Sequence, residues 1–206
     1  MKNILSVVGV FVCVAVAALA FADDKGAKSG GGLRPGDTVP NFSGVDHNGN
    51  TVDLESLKGN IVVLEWFNNE CPFVVKHYKN GDMNSLADRY KDKGVKWIAV
   101  NSTSGKTEQD MKAIASEWNI NRPILLDKSG DIGKTFGARN TPAMYIIDKE
   151  GKLAYRGAID DKPDPKPESI SSSKNYVSQA LDELLAGKPV SQPETKAYGC
   201  SVKYGK

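Results

Sequence analysis

Cys71 is the residue of this chain with the most chemistry open to it. It stands in NNECPFVVKHY (68–78), directly after the apolar run IVVLEWF (61–67) and before Pro72. A cysteine in that place is a nucleophile, half of a disulfide, or a small apolar filler. The thiolate is the reactive form, and at an ordinary pKa near 8.5 only about 3% is ionised at pH 7. Bringing the pKa to about 6.5 takes roughly 2.7 kcal/mol. A helix N-terminus supplies about 0.3–1 kcal/mol, and up to ~2 when partly buried. Val74 and Val75, above Cys71 on the same helix face, work against ionisation by desolvating the sulfur. Pro72 removes one amide donor. The expectation is a moderate lowering. Lys76 and His77 lie well around the helix from Cys71.

Two further features invite chemistry. Glu65 interrupts an apolar strand six residues before Cys71. Among Val63, Leu64, Trp66 and Phe67 a carboxyl is poorly solvated, holds its proton more tightly, and is suited to pass protons to and from a nearby thiol; the plainer alternative is a strand-end Glu paired with a lysine. Thr141-Pro142 directly precedes the apolar segment AMYIID (143–148). Proline before a central strand is unusual, and a cis bond in a tight turn would explain it; the plainer alternative is an ordinary trans entry to the strand.

These residues need a scaffold that stops a buried strand at Cys71. Residues 60–67 are apolar nearly throughout, as in a central parallel strand covered on both faces. A helix is predicted over 72–91, with Pro72 in its first turn, then a strand at 95–100. Residues 108–118 have helical spacing through Met111, Ile114, Ala115 and Trp118. A short extended piece at 123–126 and a short helix at 131–136, stopped by Gly137, follow. Strands at 143–148 and 152–156 are joined by a hairpin-sized turn and pair antiparallel. A polar, Pro-rich loop (160–173), a helix over 175–186 and an irregular tail complete the chain. DHNGN (46–50) is a turn between short strands, with His47 solvated. The order β-α-β then β-β-α predicts an α/β fold, a mixed central sheet flanked by helices on both faces, in a single domain.

The 206 residues suffice for one domain with a sizeable core. The formal charge is +2, with Lys and Arg scattered, so neither nucleic acid nor anionic lipid is a predicted partner. Two histidines and three cysteines leave little scope for a multi-ligand metal. The expectation is no metal, because His77 with Cys71 supplies too few ligands. Residues 1–22 read as an export signal: Lys2, an apolar run from Ile4 to Leu19, then Ala20-Phe21-Ala22 as cleavage site. An uncleaved membrane anchor is the alternative, and membrane contact is expected only in that case. Residues 23–32 are a flexible linker, 33–188 the globular domain, and 189–206 the tail. Cys13 leaves with the signal. The expected location is periplasmic or extracellular, an oxidising setting in which Cys71 and Cys200 form an even pair.

Together these features resemble the thioredoxin superfamily, and within it the alkyl hydroperoxide reductase/thiol-specific antioxidant branch, the redoxins. The resemblance covers about residues 33–188. WFNNECPFV resembles the family's aromatic-rich active-site turn with Cys71 at the nucleophile position. Glu65 matches the buried acid before that turn, and Thr141-Pro142 the threonine–cis-proline pair that faces the nucleophile and offers backbone groups to a bound peptide. The chain also departs from the family. The second cysteine of thioredoxins is replaced by Val74. The Thr or Ser three residues before a peroxidatic cysteine is replaced by Asn68, whose amide is the candidate for orienting a substrate. Arg139 and Arg156 are candidates for the family's guanidinium.

The resemblance implies a thiol-disulfide oxidoreductase or antioxidant redoxin that needs no cofactor. Its substrate would be a thiol or disulfide protein or a peroxide, and an external thiol reductant would reset it. Cys200 then has three readings. It is a resolving thiol that attacks an oxidised Cys71; a permanent staple closing a loop of about 130 residues, worth about 4–5 kcal/mol in the chain-entropy model; or a partner for another molecule. The rival from another class is a binding module with an inert Cys71–Cys200 structural disulfide.

Overall fold

The computed structural model describes residues 31–205. The expected export signal, Cys13 and all but the last two residues of the expected linker lie outside the described residues. The first elements are β1 (Ser43–Val45) and β2 (Thr51–Asp53), the antiparallel hairpin predicted around DHNGN. His47 in its turn is buried, not solvated. Its backbone amide donates to the Ile124 carbonyl and its Nδ1 accepts from the Ile124 amide, and burial lowers its pKa.

The core of the molecule alternates β3 (Ile61–Trp66), α1 (Pro72–Lys79), α2 (Asp82–Lys91), β4 (Val95–Asn101), α3 (Glu108–Glu117), β5 (Ile124–Leu126) and α4 (Asp131–Phe136). There follow β6 (Asn140–Thr141), β7 (Ala143–Ile147), β8 (Leu153–Gly157), α5 (Tyr176–Leu185) and β9 (Cys200–Ser201). Five strands make the central sheet in the order β5-β4-β3-β7-β8. β3, β4 and β5 run parallel, β7 pairs antiparallel with β3, and β8 pairs antiparallel with β7, which is the mixed sheet expected from the pattern.

β3 sits in the middle, and all six of its residues are buried. Its alternation feeds two cores. Val63 and Phe67 face a layer containing Tyr78, Met83, Met111, Val177 and Leu181, from α1, α2, α3 and α5. Val62, Leu64 and Trp66 face Val52, Phe136, Tyr145 and Leu153, under the β1–β2 hairpin and α4.

Two expectations change. The single helix over 72–91 is broken into α1 and α2 at Asn80-Gly81, where Gly81 adopts a φ of 73°. A glycine takes that left-handed conformation without a Cβ clash. The tail is not irregular throughout: Cys200 and Ser201 form β9, which pairs antiparallel with β6 in the register Thr141↔Cys200 and Asn140↔Ser201. Among the described residues, no helix is long and apolar enough to cross a membrane.

Candidate functional site

The turn after β3 delivers Cys71 to the start of α1. Asn68 builds that turn: its side-chain oxygen accepts from the Glu70 amide at 2.9 Å and its carbonyl from the Cys71 amide at 3.0 Å. The side-chain acceptor of Asn68 is therefore engaged locally. Cys71 is the N-cap residue, in extended conformation, and Pro72 opens the helix. The Cys71 carbonyl accepts from the Val74 and Val75 amides, each at 2.9 Å. Its side chain makes no capping bond. It turns instead to β6, where Sγ donates to the Thr141 carbonyl at 2.9 Å.

The Thr141–Pro142 peptide bond is cis, as expected from its position before β7. The loop thus lies directly over the sulfur. Cys200, registered opposite Thr141, brings its own thiol close enough to Cys71 for each to shift the other's ionisation. Both cysteines are free, so the expected disulfide is not formed here. Cys71 is only 1% exposed, more enclosed than the sequence suggests, and part of its cover is the tail itself.

The electrostatics make the two thiols unequal. Burial pushes the Cys71 thiol up, but hydrogen bonds from the Cys200 and Thr141 side chains and from the Cys200 and Val74 amides outweigh it, leaving a net lowering. Hydrogen bonds to the charged form stabilise it. Cys200 is pushed up to about 11, first by burial and then by its hydrogen bond to Cys71 and the charge there. As pH rises, the first proton leaves from the Cys71 side of the pair, and Cys200 stays a thiol that donates to it.

Glu65 is fully buried. One oxygen accepts from Tyr78 Oη at 2.7 Å; the other accepts from Trp97 Nε1 at 3.0 Å and Arg122 Nη2 at 3.3 Å. Its counter-charge is thus an arginine from the loop before β5 rather than a lysine at a strand end. Arg122 also donates to Asn84 and to Tyr78 Oη. Neither Glu65 oxygen hydrogen-bonds to Cys71. Of the two candidate arginines, Arg156 is tied to Glu194 and to the Leu33 carbonyl, and the Arg139 carbonyl accepts from the Val202 amide of the tail.

Sequence reasoning missed the residues that hold the tail. Tyr198 Oη donates to Asp160 Oδ1 at 2.5 Å and meets His77 Nε2 at 3.3 Å. Its ring packs on Phe73 and under the Lys76 ammonium. Only the aromatics flanking Cys200 in AYGCSVKY hinted at anchoring. Among the described residues, no cluster of three or more metal-ligating side chains occurs.

Comparison with known proteins agrees with this geometry. A thiol-disulfide oxidoreductase ResA of Bacillus thuringiensis subsp. konkukian is 33% identical over 118 residues, covering 57% of this chain and 66% of that protein. The chain therefore spans just under two thirds of the length of this relative. The thioredoxin-like protein YneN of Bacillus subtilis is 31% identical over 123 residues, covering 59% of this chain and 70% of that one. Among solved structures, an uncharacterized conserved protein of Geobacillus kaustophilus superposes with a TM-score of 0.72 at 32% identity, covering 84% of this chain and 93% of that one. A putative thiol:disulfide interchange protein DsbE of Chlorobium tepidum shares the fold, with a TM-score of 0.57 at 23% identity over 74% of this chain and 99% of that one. The fold is thioredoxin-like. The sequence model of the AhpC/TSA family matches residues 35–156, and the chain belongs to that family.

Proposed function

We propose that the protein is an exported thiol-disulfide oxidoreductase in which Cys71 and Cys200 form the redox pair. The observation that carries the reading is the placement of two unequal thiols side by side beneath the Thr141–Pro142 loop. Cys71, the more acidic, attacks one sulfur of a substrate disulfide; a Cys71–substrate bond forms and the other substrate sulfur leaves as thiolate. Cys200 then gives up its proton and attacks Cys71, closing the Cys71–Cys200 bridge and releasing the second substrate thiol. The substrate is reduced by two electrons and the protein dithiol oxidised. An external thiol reductant reverses the change. With peroxide as oxidant, Cys71 becomes a sulfenic acid with loss of hydroxide, and Cys200 displaces the oxygen as water. The names of the ResA relatives favour disulfide exchange over peroxide as the main chemistry. Residues 1–22 as a cleaved signal and 23–32 as linker fit an extracytoplasmic site of action.

In this reading Thr141 and Pro142 contact the substrate, and Asn68 shapes the turn that presents Cys71. Glu65 acts through its ion pair with Arg122 and any proton it passes to Cys71 travels through an intermediary. Equilibration in graded glutathione buffers, read by mass loss and alkylation at Cys71 and Cys200, tests the proposal. A bridge with a potential above about −300 mV is expected, as for catalytic pairs. A potential below that value, or no bridge at all, returns the chain to the inert binding-module reading.

A further inference from the structure

Three parts of the chain meet at Tyr198, two residues before Cys200. Its hydroxyl donates to Asp160 Oδ1, on the loop after β8. It also accepts from His77 Nε2 of α1, whose ring burial and the neighbouring Lys76 charge keep neutral, with a pKa of about 3. Its ring rests on Phe73, and Lys76 lies 5.2 Å above it. Asp160 and His77 are both buried, and their side chains also approach each other at 3.8 Å. One oxygen each of Asp160 and Asp82 is buried with no hydrogen-bond partner. Burying such groups is expensive, so this cluster does not arise from packing alone. Just beyond it, Gly199 and β9 lie along β6, with the Asn140 side-chain Nδ2 donating to the Gly199 carbonyl. The tail strand therefore takes the backbone edge beside Cys71 that an extended peptide would need for β-pairing.

We propose that Tyr198, held by Asp160 and His77, is a specificity-determining latch. It keeps Gly199 and β9 on β6, so that an extended peptide disulfide reaches Cys71 only when the tail lifts away, whereas a small reagent is less dependent on that opening. The proposal rests on the thiol-exchange reading for its substrate class, but not for its geometry. With the latch closed, exchange at Cys71 favours small disulfides; with it open, peptide disulfides pair with Asn140 and Thr141 in the tail's place.

The test compares one reactive group in two sizes at Cys71. Full-length Cys200→Ser protein is treated with N-ethylmaleimide and with a polyethylene-glycol maleimide, and Cys71 labelling is followed by peptide mapping. The same is done with Tyr198→Phe and Asp160→Asn added, with thermal melting as a check on folding. Tyr198→Phe keeps the ring on Phe73 and removes only the hydroxyl. Loss of one hydrogen bond to a carboxylate is expected to raise the bulky-to-small rate ratio about tenfold, without a matching rise in the small reagent's rate. An unchanged ratio in both variants overturns the latch. If the ratio rises but wild-type Cys71 and Cys200 never exchange with glutathione, the latch stands and the oxidoreductase reading fails.

Discussion

Replacing Arg122 by alanine separates the two roles open to Glu65. The carboxylate is sealed at 0% exposure, and its only formal counter-charge among the described residues is Arg122 Nη2 at 3.3 Å. Tyr78 and Trp97 supply two more donors, so the acid keeps hydrogen bonds when the arginine is gone. What it loses is charge compensation in a site that water does not enter. Breaking one side of a buried ion pair typically costs about 3–5 kcal/mol. For a domain of this size that lowers the melting temperature by roughly 6–20 °C. Asn84 and Tyr78 also lose the guanidinium as a donor. Urea unfolding at pH 7 measures the loss, with an unchanged m-value showing that the same surface unfolds. The double variant Glu65→Leu with Arg122→Met removes both charges. Because an apolar replacement of a buried pair is often neutral, it is expected to recover most of the loss. Glu65→Gln then addresses proton transfer: if Glu65 acts through the ion pair, the rate of Cys71 attack at pH 7 falls no more than the docked, folded fraction does. A loss below about 1 kcal/mol for Arg122→Ala, or a double variant as unstable as the summed single changes, refutes the reasoning.

Gly199 has a φ of 109°, and a Cβ there would clash with the Thr141 carbonyl oxygen. Gly199→Ala is expected to lift the tail from β6 at a cost of about 1–2 kcal/mol from the backbone alone, raising Cys71 labelling by the polyethylene-glycol maleimide about five- to thirtyfold; an unchanged rate shows that β9 does not shield the sulfur. His77 predicts a pH dependence. Its folded pKa of about 3 lies below the unfolded value near 6.5, so the unfolded chain binds the extra proton between those values. Its contribution is complete above pH 6.5 and is lost as pH falls, by at most about 1.4 kcal/mol per pH unit. His77→Gln should flatten the stability curve from pH 6.5 to 4, and parallel curves for the two proteins contradict a buried neutral ring.

What the sequence shows and what it hides divides along local and distant contacts. The unbroken apolar run 61–67 announces a central strand because both faces of β3 are covered, and Cys71 follows it with a proline that opens α1. The Thr141–Pro142 turn is legible for the same local reason. The partner of Glu65 is not: Arg122 lies 57 residues away in a loop with no periodicity. The strand β9 is two residues long, too short for alternation to appear, and it exists because β6 offers an unpaired edge. His47 looks solvated in DHNGN, yet its ring is buried and accepts from the Ile124 amide. The single helix expected over 72–91 divides because Gly81 adopts a φ of 73° between α1 and α2.

A sulfur that is 1% exposed ought to resist ionisation, since burial disfavours the charged form. Thr141 supplies the way around this. Its carbonyl accepts the Cys71 S–H at 2.9 Å, which suits the thiol. Its buried hydroxyl has no hydrogen-bond partner, yet it lies near enough to favour the thiolate over the thiol. The Cys200 thiol and the Cys200 and Val74 amides add donors on the same side. Two of these three come from the docked tail. Docking therefore adds burial, which raises the Cys71 pKa, together with two donors that lower it, so the tail that limits access also helps to keep the enclosed sulfur ionisable.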